Sequence, residues 1–573
     1  MSPLSWTEPD RFENTMTDTT IFPARTIVTM DPSQPTVEAV AVRNGKILAA
    51  GSLDECTSWG PHTVDDRFAD HVLTPGMIEA HAHTFEGAFG LLPYAGWFPR
   101  HRPDGSTAPG VKTYDELLDL LRRLDQETQG SSEPIVVWGF DPIYFVDEER
   151  LTRDHLDRAS TERPIFVFHA SAHLATVNSA MLTRHEVTRE TQTLGVARDG
   201  SGEPNGELQE MPAIALATSA IHMIMRMMGD PEAIRTLGQM CANTGITSLV
   251  DLGASGVTRP EGQDVWHRVV TDDFPARIHQ RHLIGMMPGS NDWAAAADQV
   301  KAFEVDDTAR LRTAGLKIVL DGSIQGFTAK MRWPGYYSPD GISPTDHGVW
   351  MVPPEQLMEM LRPFHERRIN THVHCNGDLT IDLWIDVVEQ LLLESAWLDH
   401  RYTVQHSQLT SAAQYRRMAK LGMCANIFSN HIWYWGDQHK DITVGPERAR
   451  RMEACRTAQE AGVPFSLHTD ASVTPLGHLH TMWCAVNRVT PSGRVLGEHE
   501  RISAQSALHA VTTSAAYQLH ADDEFGSIEC GKAADFTVLE DNPLTVDPID
   551  IKDIGVWGTI VGGTANEAAH PGA

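Results

Sequence analysis

Two histidines one residue apart, His81 and His83, close the run Thr74-Pro75-Gly76-Met77-Ile78-Glu79-Ala80. Alternate residues of a strand share a face. A strand ending this way aims two imidazoles at one spot, which suits a divalent metal. With 28 histidines in the chain, one such pair is weak evidence alone. Later residues add to it. Thr371-His372-Val373-His374 repeats the spacing, and either imidazole could face inward. Gln405-His406 ends a run of β-formers. Leu467-His468-Thr469-Asp470 puts His468 and Asp470 on one face, and a buried aspartate needs a cation or several donors. Lys317 sits in the apolar run 316–320, where a charged amine is costly. It either pairs with Asp321 or is neutral enough to add CO2, giving a carbamate that bridges two metals.

Such residues need a scaffold that gathers strand ends. Eight strand-like runs occur, at 72–83, 246–252, 277–284, 316–320, 370–374, 402–406, 423–428 and 464–470. Helical stretches fit between them, among them 354–367, 381–393, 412–421 and 446–461. Alternation of this kind predicts an α/β fold, a (β/α)8 TIM-type barrel over residues 73–509, whose sites lie at the C-terminal strand ends. The candidate ligands fall at or near those ends. The gap between the first two strands is too long for one helix. It predicts an inserted subdomain at about residues 90–230, with strands of its own at 134–140 and 164–169. Both chain ends are β-rich. Asn44-Gly45 between two apolar runs is a hairpin signal, and strand-like runs recur at 526–531, 534–539 and 556–561. Together they predict a composite β-sandwich from residues 20–72 and 510–565, preceded by a disordered leader, residues 1–19.

Composition sets further bounds. A chain of 573 residues with 41% hydrophobic content can bury a large core. Seven scattered cysteines without a CxxC pair fit free thiols in a reducing cytoplasm. No secretory signal and no run of 18 apolar residues is present, so neither export nor a membrane association is expected. A net charge of −30 argues against nucleic acid and leaves a small-molecule substrate. There is no P-loop, no GxGxxG and no GxSxG elbow. His478 and His480 diverge on a helix and read as packing. His431, Trp433, Tyr434, Trp435 and His439 follow the seventh strand and either line a pocket or pack the rim. Four methionines between 223 and 228 read as a soft packing or substrate-facing patch.

Read jointly, several segments resemble the amidohydrolase superfamily, and within it amidohydrolase family 3, the YtcJ-like metal-dependent hydrolases and their N-substituted formamide deformylase relatives. The segments are Pro75 to His83, Asn178-Ser179, Gly202 to Gly206, Lys317 to Ser323, His374-Cys-Asn-Gly-Asp378, Gln405-His406, Thr469-Asp470, Gly526 to Asp535 and Asn542-Pro543. The resemblance covers most of residues 22–562. It implies that His81, His83 and Asp470 bind one divalent ion and His374 and His406 a second, with carboxylated Lys317 as the bridge and Zn2+ as the metal. The family pattern His-x-x-Gly-Asp selects His374 over His372. His173 is similar to a family histidine that reaches the substrate from the insertion. Copies of such barrels associate, so a homo-oligomer is expected, with no interface legible. Two departures bear on the substrate. Ile324-Gln325-Gly326-Phe327 stands where the family commonly has Leu-Gly-x-Arg, and His169 stands where relatives often have Asp-Gly before the histidine.

The chemistry implied is hydrolysis of an amide-type C–N bond in an amide, formamide or lactam. A metal-bridging hydroxide attacks, Asp470 shuttles its proton to the leaving nitrogen, and His173 steadies the tetrahedral intermediate. Gln325, His431 and Trp433 are the candidate substrate-binding residues. The competing readings are a one-metal deaminase of a heterocyclic amine, which needs no bridging lysine, and a non-catalytic metal-binding regulatory protein, which has little use for a full ligand set plus a general base.

Overall fold

Gly76 is where the chain passes from one sheet to another. The computed structural model describes residues 19–145, 148–254, 260–284, 292–304, 307–337 and 347–570. In it the expected strand 72–83 is two strands. Val72–Pro75 pairs with Phe536–Leu539 of the C-terminal segment, while Met77–Ala82 opens the barrel. A Cβ on Gly76 would lie 2.0 Å from Thr247 Oγ1, so only glycine lets the two sheets approach this closely.

The barrel follows in chain order: β1 (Met77–Ala82), β2 (Ile246–Ala254), β3 (Arg277–Leu283), β4 (Leu311–Val319), β5 (Thr371–Cys375), β6 (Thr403–His406), β7 (Cys424–Ile427) and β8 (Phe465–Leu467). These form one parallel sheet of sequential neighbours. The segment after β8 returns to β1: Asp470 N donates to His81 O at 3.0 Å, and His83 N to Ala471 O at 2.8 Å. The loop carrying Asp470 is thus the seam that closes the barrel. Ile278, Leu316, Ile318, Val373, Val404, Ile427 and Leu467 belong to the large apolar cluster between strands and helices. The intervening His372, Gln405, Asn426 and Ser466 are buried too, and Gln405 bonds both His372 and Asn426. The barrel interior is therefore polar, which is where chemistry can be housed.

Helices Pro354–Glu366, Asp378–Glu394 and Ala412–Leu421 lie where periodicity places them. The last starts at a Ser411–Gln414 capping box and stops at left-handed Gly422. The expected helix 446–461 is a correction: it is two short helices, Pro446–Ala449 and Cys455–Ala461. The buried Arg488 guanidinium donates to Met452 O at 2.7 Å and Glu453 O at 2.8 Å. Those carbonyls are satisfied without another helical turn, and Glu453 turns to a φ of 51°.

Strands from both termini make one eight-stranded sheet, including Thr19–Val28, Thr36–Arg43, Lys46–Gly51, Phe536–Leu539 and Val556–Val561. Its hairpin turns at Asn44 and Gly45, with φ of 54° and 73°, the left-handed pair that a tight two-residue turn requires. Phe22, Val40, Phe536 and Ile560 pack in one cluster, and Ile21, Ala39, Ala41 and Cys56 in another. The run 526–531 is not a strand; it borders the sheet through Ile528 N to Thr29 O and Gly531 N to Ile47 O, both 2.8 Å. The leader falls outside the described residues up to 18, and Thr19 already pairs with His62.

The insertion carries its own five-stranded sheet, which includes Ile135–Phe140 and Ile165–His169 close to the predicted runs. Apolar clusters built on Phe89, Trp138 and Phe166, and on Leu117, Val137 and Phe140, cover it. Among the described residues, no helix is long and apolar enough to cross a membrane.

Candidate metal centre

Lys317, His374 and His406 sit on the strands their positions predict, while His83 lies just past β1 and Asp470, expected on the last strand, lies in the loop after β8. His81, at the end of β1, has its Nδ1 2.8 Å from Gln405 Oε1. That bond turns His81 Nε2 toward Lys317 Nζ at 3.2 Å and Asp470 Oδ1 at 3.5 Å. His83 Nε2 lies 3.2 Å from the same carboxylate oxygen, and its ring stacks on Phe85 at 4.8 Å. The His406 ring is 4.6 Å from that of His81 and 4.3 Å from that of His374. His374 turns Nε2 to Gly322 O at 3.3 Å and Asn376 Nδ2 at 3.0 Å. All six expected metal residues therefore meet at the C-terminal end of the barrel.

The backbone is bent to bring them there. His406 has a φ of 69°, Ser407 53° and Asp470 51°, left-handed conformations that cost a non-glycine residue free energy.

Electrostatics fit a cation. Burial, aided by the Lys317 charge, draws the His81 and His374 imidazoles well below their usual range. Burial followed by the His374 and His81 charges does the same to His406. Neutral rings keep a lone pair for a metal. Burial pulls Lys317 down to about 7. Burial alone would raise Asp470, but the nearness of His83, with the charges of His468 and Lys317, brings it below the ordinary carboxylate value. Among the described residues, His406 Nε2 and Asp470 Oδ1 are buried with no hydrogen bond of normal geometry, the latter facing only His81 Nε2 and His83 Nε2. Unpaired buried acceptors among neutral imidazoles are the donor set a divalent ion takes.

The Lys317–Asp321 ion pair is not formed. Asp321 accepts from the backbone N–H groups of Lys330, Asn376 and Gly377 at 2.8–3.0 Å and from Thr380 Oγ1 at 3.0 Å. It organises the loop after β5 and leaves Lys317 without a carboxylate of its own.

Among the described residues, two donor groups come within 4.8 Å: His81 with His83 and Asp470, and His81 with His406 and His468. His468 is an addition to the expected set, and its alternation with Asp470 is the sequence signal for it. Gln405, Asn426 and Glu210 also belong to the site, as partners of its histidines. Gln405 stands beside His406 in a segment already singled out, but nothing in local spacing marks Asn426 or Glu210, which act across the barrel or from the insertion.

His173 reaches in from the insertion. Its Nδ1 lies 2.8 Å from Glu210 Oε2, and its ring centre 6.5 Å from that of His374. Burial works against its charge, but Glu210, then Asp470 and Asp321, hold it above the usual histidine value. His169 instead bonds Thr176 Oγ1 at 2.9 Å inside the insertion. Gln325 is buried in the loop after β4, with Oε1 unpartnered. His431 is buried, bonded to His439 at 2.9 Å and packed on Phe428 and Trp435. Trp433 packs against Phe98, His480 and Trp483. Trp435 Nε1 donates to Asp141 Oδ2 at 2.9 Å, tying this wall to the insertion.

Residues 69–565 match the sequence profile of the amidohydrolase family. The protein LONG AFTER FAR-RED 3 of Arabidopsis thaliana is 25% identical over 550 residues, covering 94% of this chain and 90% of that one. The N-substituted formamide deformylase of Arthrobacter pascens is 25% identical over 558 residues, covering 93% and 96%. The crystal structure of an uncharacterized metal-dependent hydrolase from Pyrococcus horikoshii superposes with a TM-score of 0.70 at 20% identity, over 93% of this chain and 99% of that one. That likeness bears on the fold.

Proposed function

Since the chain belongs to the amidohydrolase family, we propose that it hydrolyses an amide-type C–N bond of a small molecule, in an amide, formamide or lactam. The observation that carries this reading is the convergence of Lys317 Nζ and Asp470 Oδ1 on His81 Nε2, at 3.2 and 3.5 Å. A deaminase with one ion has no use for the lysine. The name of the formamide deformylase relative supports placing formamides among the substrates.

His81, His83 and Asp470 would hold one ion, and His374 and His406 a second, with carboxylated Lys317 between them. Lys317, pulled down to about 7 by burial, has its amine neutral in a large share of molecules at physiological pH. That amine attacks CO2, forms an N–C bond and releases one proton, leaving a carbamate. Zinc is the metal favoured by an imidazole-rich donor set. When bound, such ions supply Lewis acidity, polarising a carbonyl and lowering the pKa of water from roughly 16 toward roughly 7.

The side chains do the rest. Asp470 Oδ1, facing His81 Nε2 and His83 Nε2, accepts a proton from the attacking water and delivers it to the leaving nitrogen. His173, whose charged form Glu210 favours, donates to the oxygen that gains charge in the tetrahedral intermediate. Gln325 and His431, with Trp433 behind them, shape the side that holds the substrate's remainder. Six buried, unpaired cysteines among the described residues support a reducing compartment, the cytoplasm.

The test is a panel of amides, formamides, lactams and heterocyclic amines, offered to zinc-loaded and to chelated protein. Free carboxylate or formate, released only by loaded protein, is the expected result. Ammonia from heterocyclic amines, with no acid from any amide, overturns the reading.

A further inference from the structure

His468 is fully buried two residues before Asp470. Its Nε2 lies 3.1 Å from His406 Nδ1, and its Nδ1 3.0 Å from Asn426 Oδ1. Asn426 Nδ2 donates at 2.9 Å to Gln405 Oε1, the oxygen that also faces His81 Nδ1 at 2.8 Å. Gln405 Nε2 donates to His372 Nδ1 at 2.6 Å.

A carboxamide has one donor end and one acceptor end, so this chain of bonds has a single direction. Because Gln405 Oε1 accepts, His81 carries its proton on Nδ1. Because Asn426 Oδ1 accepts, His468 also carries its proton on Nδ1 and offers a lone pair at Nε2. His406 must then donate from Nδ1. Its Nε2 is left bare, and that atom has no hydrogen-bond partner among the described residues. Run in the other direction, the same bonds would protonate Nε2 of both His81 and His406, and neither could take a cation there.

We propose that His468 is a positioning residue for metal binding: its Nε2 accepts the Nδ1 proton of His406, aiming the His406 Nε2 lone pair at the ion, while Asn426 and Gln405 lock His81 in the matching tautomer. The proposal rests on the metal-hydrolase reading above. His468 is not itself the ligand, although it lies in the His81–His406 donor group. Its Nε2 is occupied by His406 and its Nδ1 by Asn426. A partner that orients a ligating histidine is part of a metal site, and losing one typically weakens metal binding by about 10–100-fold.

The test is zinc affinity, measured by competition with a chromophoric chelator, for wild type and for His468→Ala, His468→Asn and His468→Gln. Thermal denaturation of the chelated proteins checks folding. A glutamine carboxamide reaches the place of His468 Nε2 and can still accept from His406, whereas an asparagine reaches only the place of Nδ1. H468A and H468N are expected to weaken one class of zinc site by about 10–100-fold, and H468Q to stay near wild type. The H468N and H468Q pair carries the test even where the alanine variant does not fold. Equal zinc affinity in H468N and wild type overturns the proposal, as does an H468Q as weak as H468N. Wild type that takes up no zinc overturns the metal-hydrolase reading itself, a distinct outcome.

Discussion

Lys317 Nζ lies 3.2 Å from His81 Nε2, across 236 residues of chain. The two come from β4 and β1, which are not neighbours in the sheet, so the contact spans the barrel interior. Lys317 is 2% exposed. Among the described residues it has no ion pair within 4 Å, so burial of its charged form is uncompensated and favours the neutral amine that carboxylation needs.

Lys317→Ala should therefore remove metal as well as charge. Metal per chain is expected to fall by one ion, and hydrolysis by more than about 100-fold, beyond what is typical for residues that only support ligands. Full metal content and full activity in this variant would eliminate the bridging role. Elemental analysis beside a rate assay decides it.

Asp470→Asn keeps the shape of the side chain and one ligating oxygen. It should retain most of its metal while turnover drops by about 10²–10⁴-fold, the range for a lost general base. Unchanged turnover would rule out Asp470 as the proton shuttle.

A pH effect on stability should come from the insertion, away from the metal. Arg150 holds Glu207 through paired bonds, the Nη2 to Oε1 bond being 2.9 Å. Burial would raise Glu207, but the Arg150 hydrogen bond and charge win and lower it. A carboxylate with a lowered folded value stabilises above its unfolded pKa, and the effect is lost as pH falls through the folded value. The melting-temperature gap between wild type and Glu207→Gln should thus be wide at pH 7 and shrink below about pH 4. A gap that widens on acidification would contradict this.

Gly76→Ala would drive a methyl group to 2.0 Å from Thr247 Oγ1 at the junction of the two sheets. Overpacking of this kind costs about 1–3 kcal/mol. Denaturant unfolding should register it, and an unchanged midpoint would mean that the junction has slack.

The strand-end histidines make the centre legible in the amino-acid sequence, because strand alternation and barrel topology are local-pattern rules. All eight barrel strands overlap a predicted run, the first of which also holds Val72–Pro75, and helix 412–421 matches end to end. What escapes local pattern is tertiary. The break in helix 446–461 depends on Arg488, far along the chain, capping the carbonyls of Met452 and Glu453. The Gly76 switch depends on Thr247. The choice between an Asp321 ion pair and a free Lys317 turns on three backbone N–H groups that claim Asp321. Glu210 joins the site only because the insertion folds back so that His173 O accepts from its N–H at 2.7 Å. Apart from Asp321 and Lys330, nine residues apart, no short window of sequence holds both members of these pairs.

The most direct test of the central claim is the number of metal ions per chain, by inductively coupled plasma mass spectrometry, on protein produced with zinc and bicarbonate. Close to two ions per chain is the predicted result, since on the proposed reading six ligands including a carboxylated Lys317 would make two adjoining sites. One ion per chain would contradict the Lys317 bridge, and none after reconstitution would contradict the metal-dependent mechanism altogether.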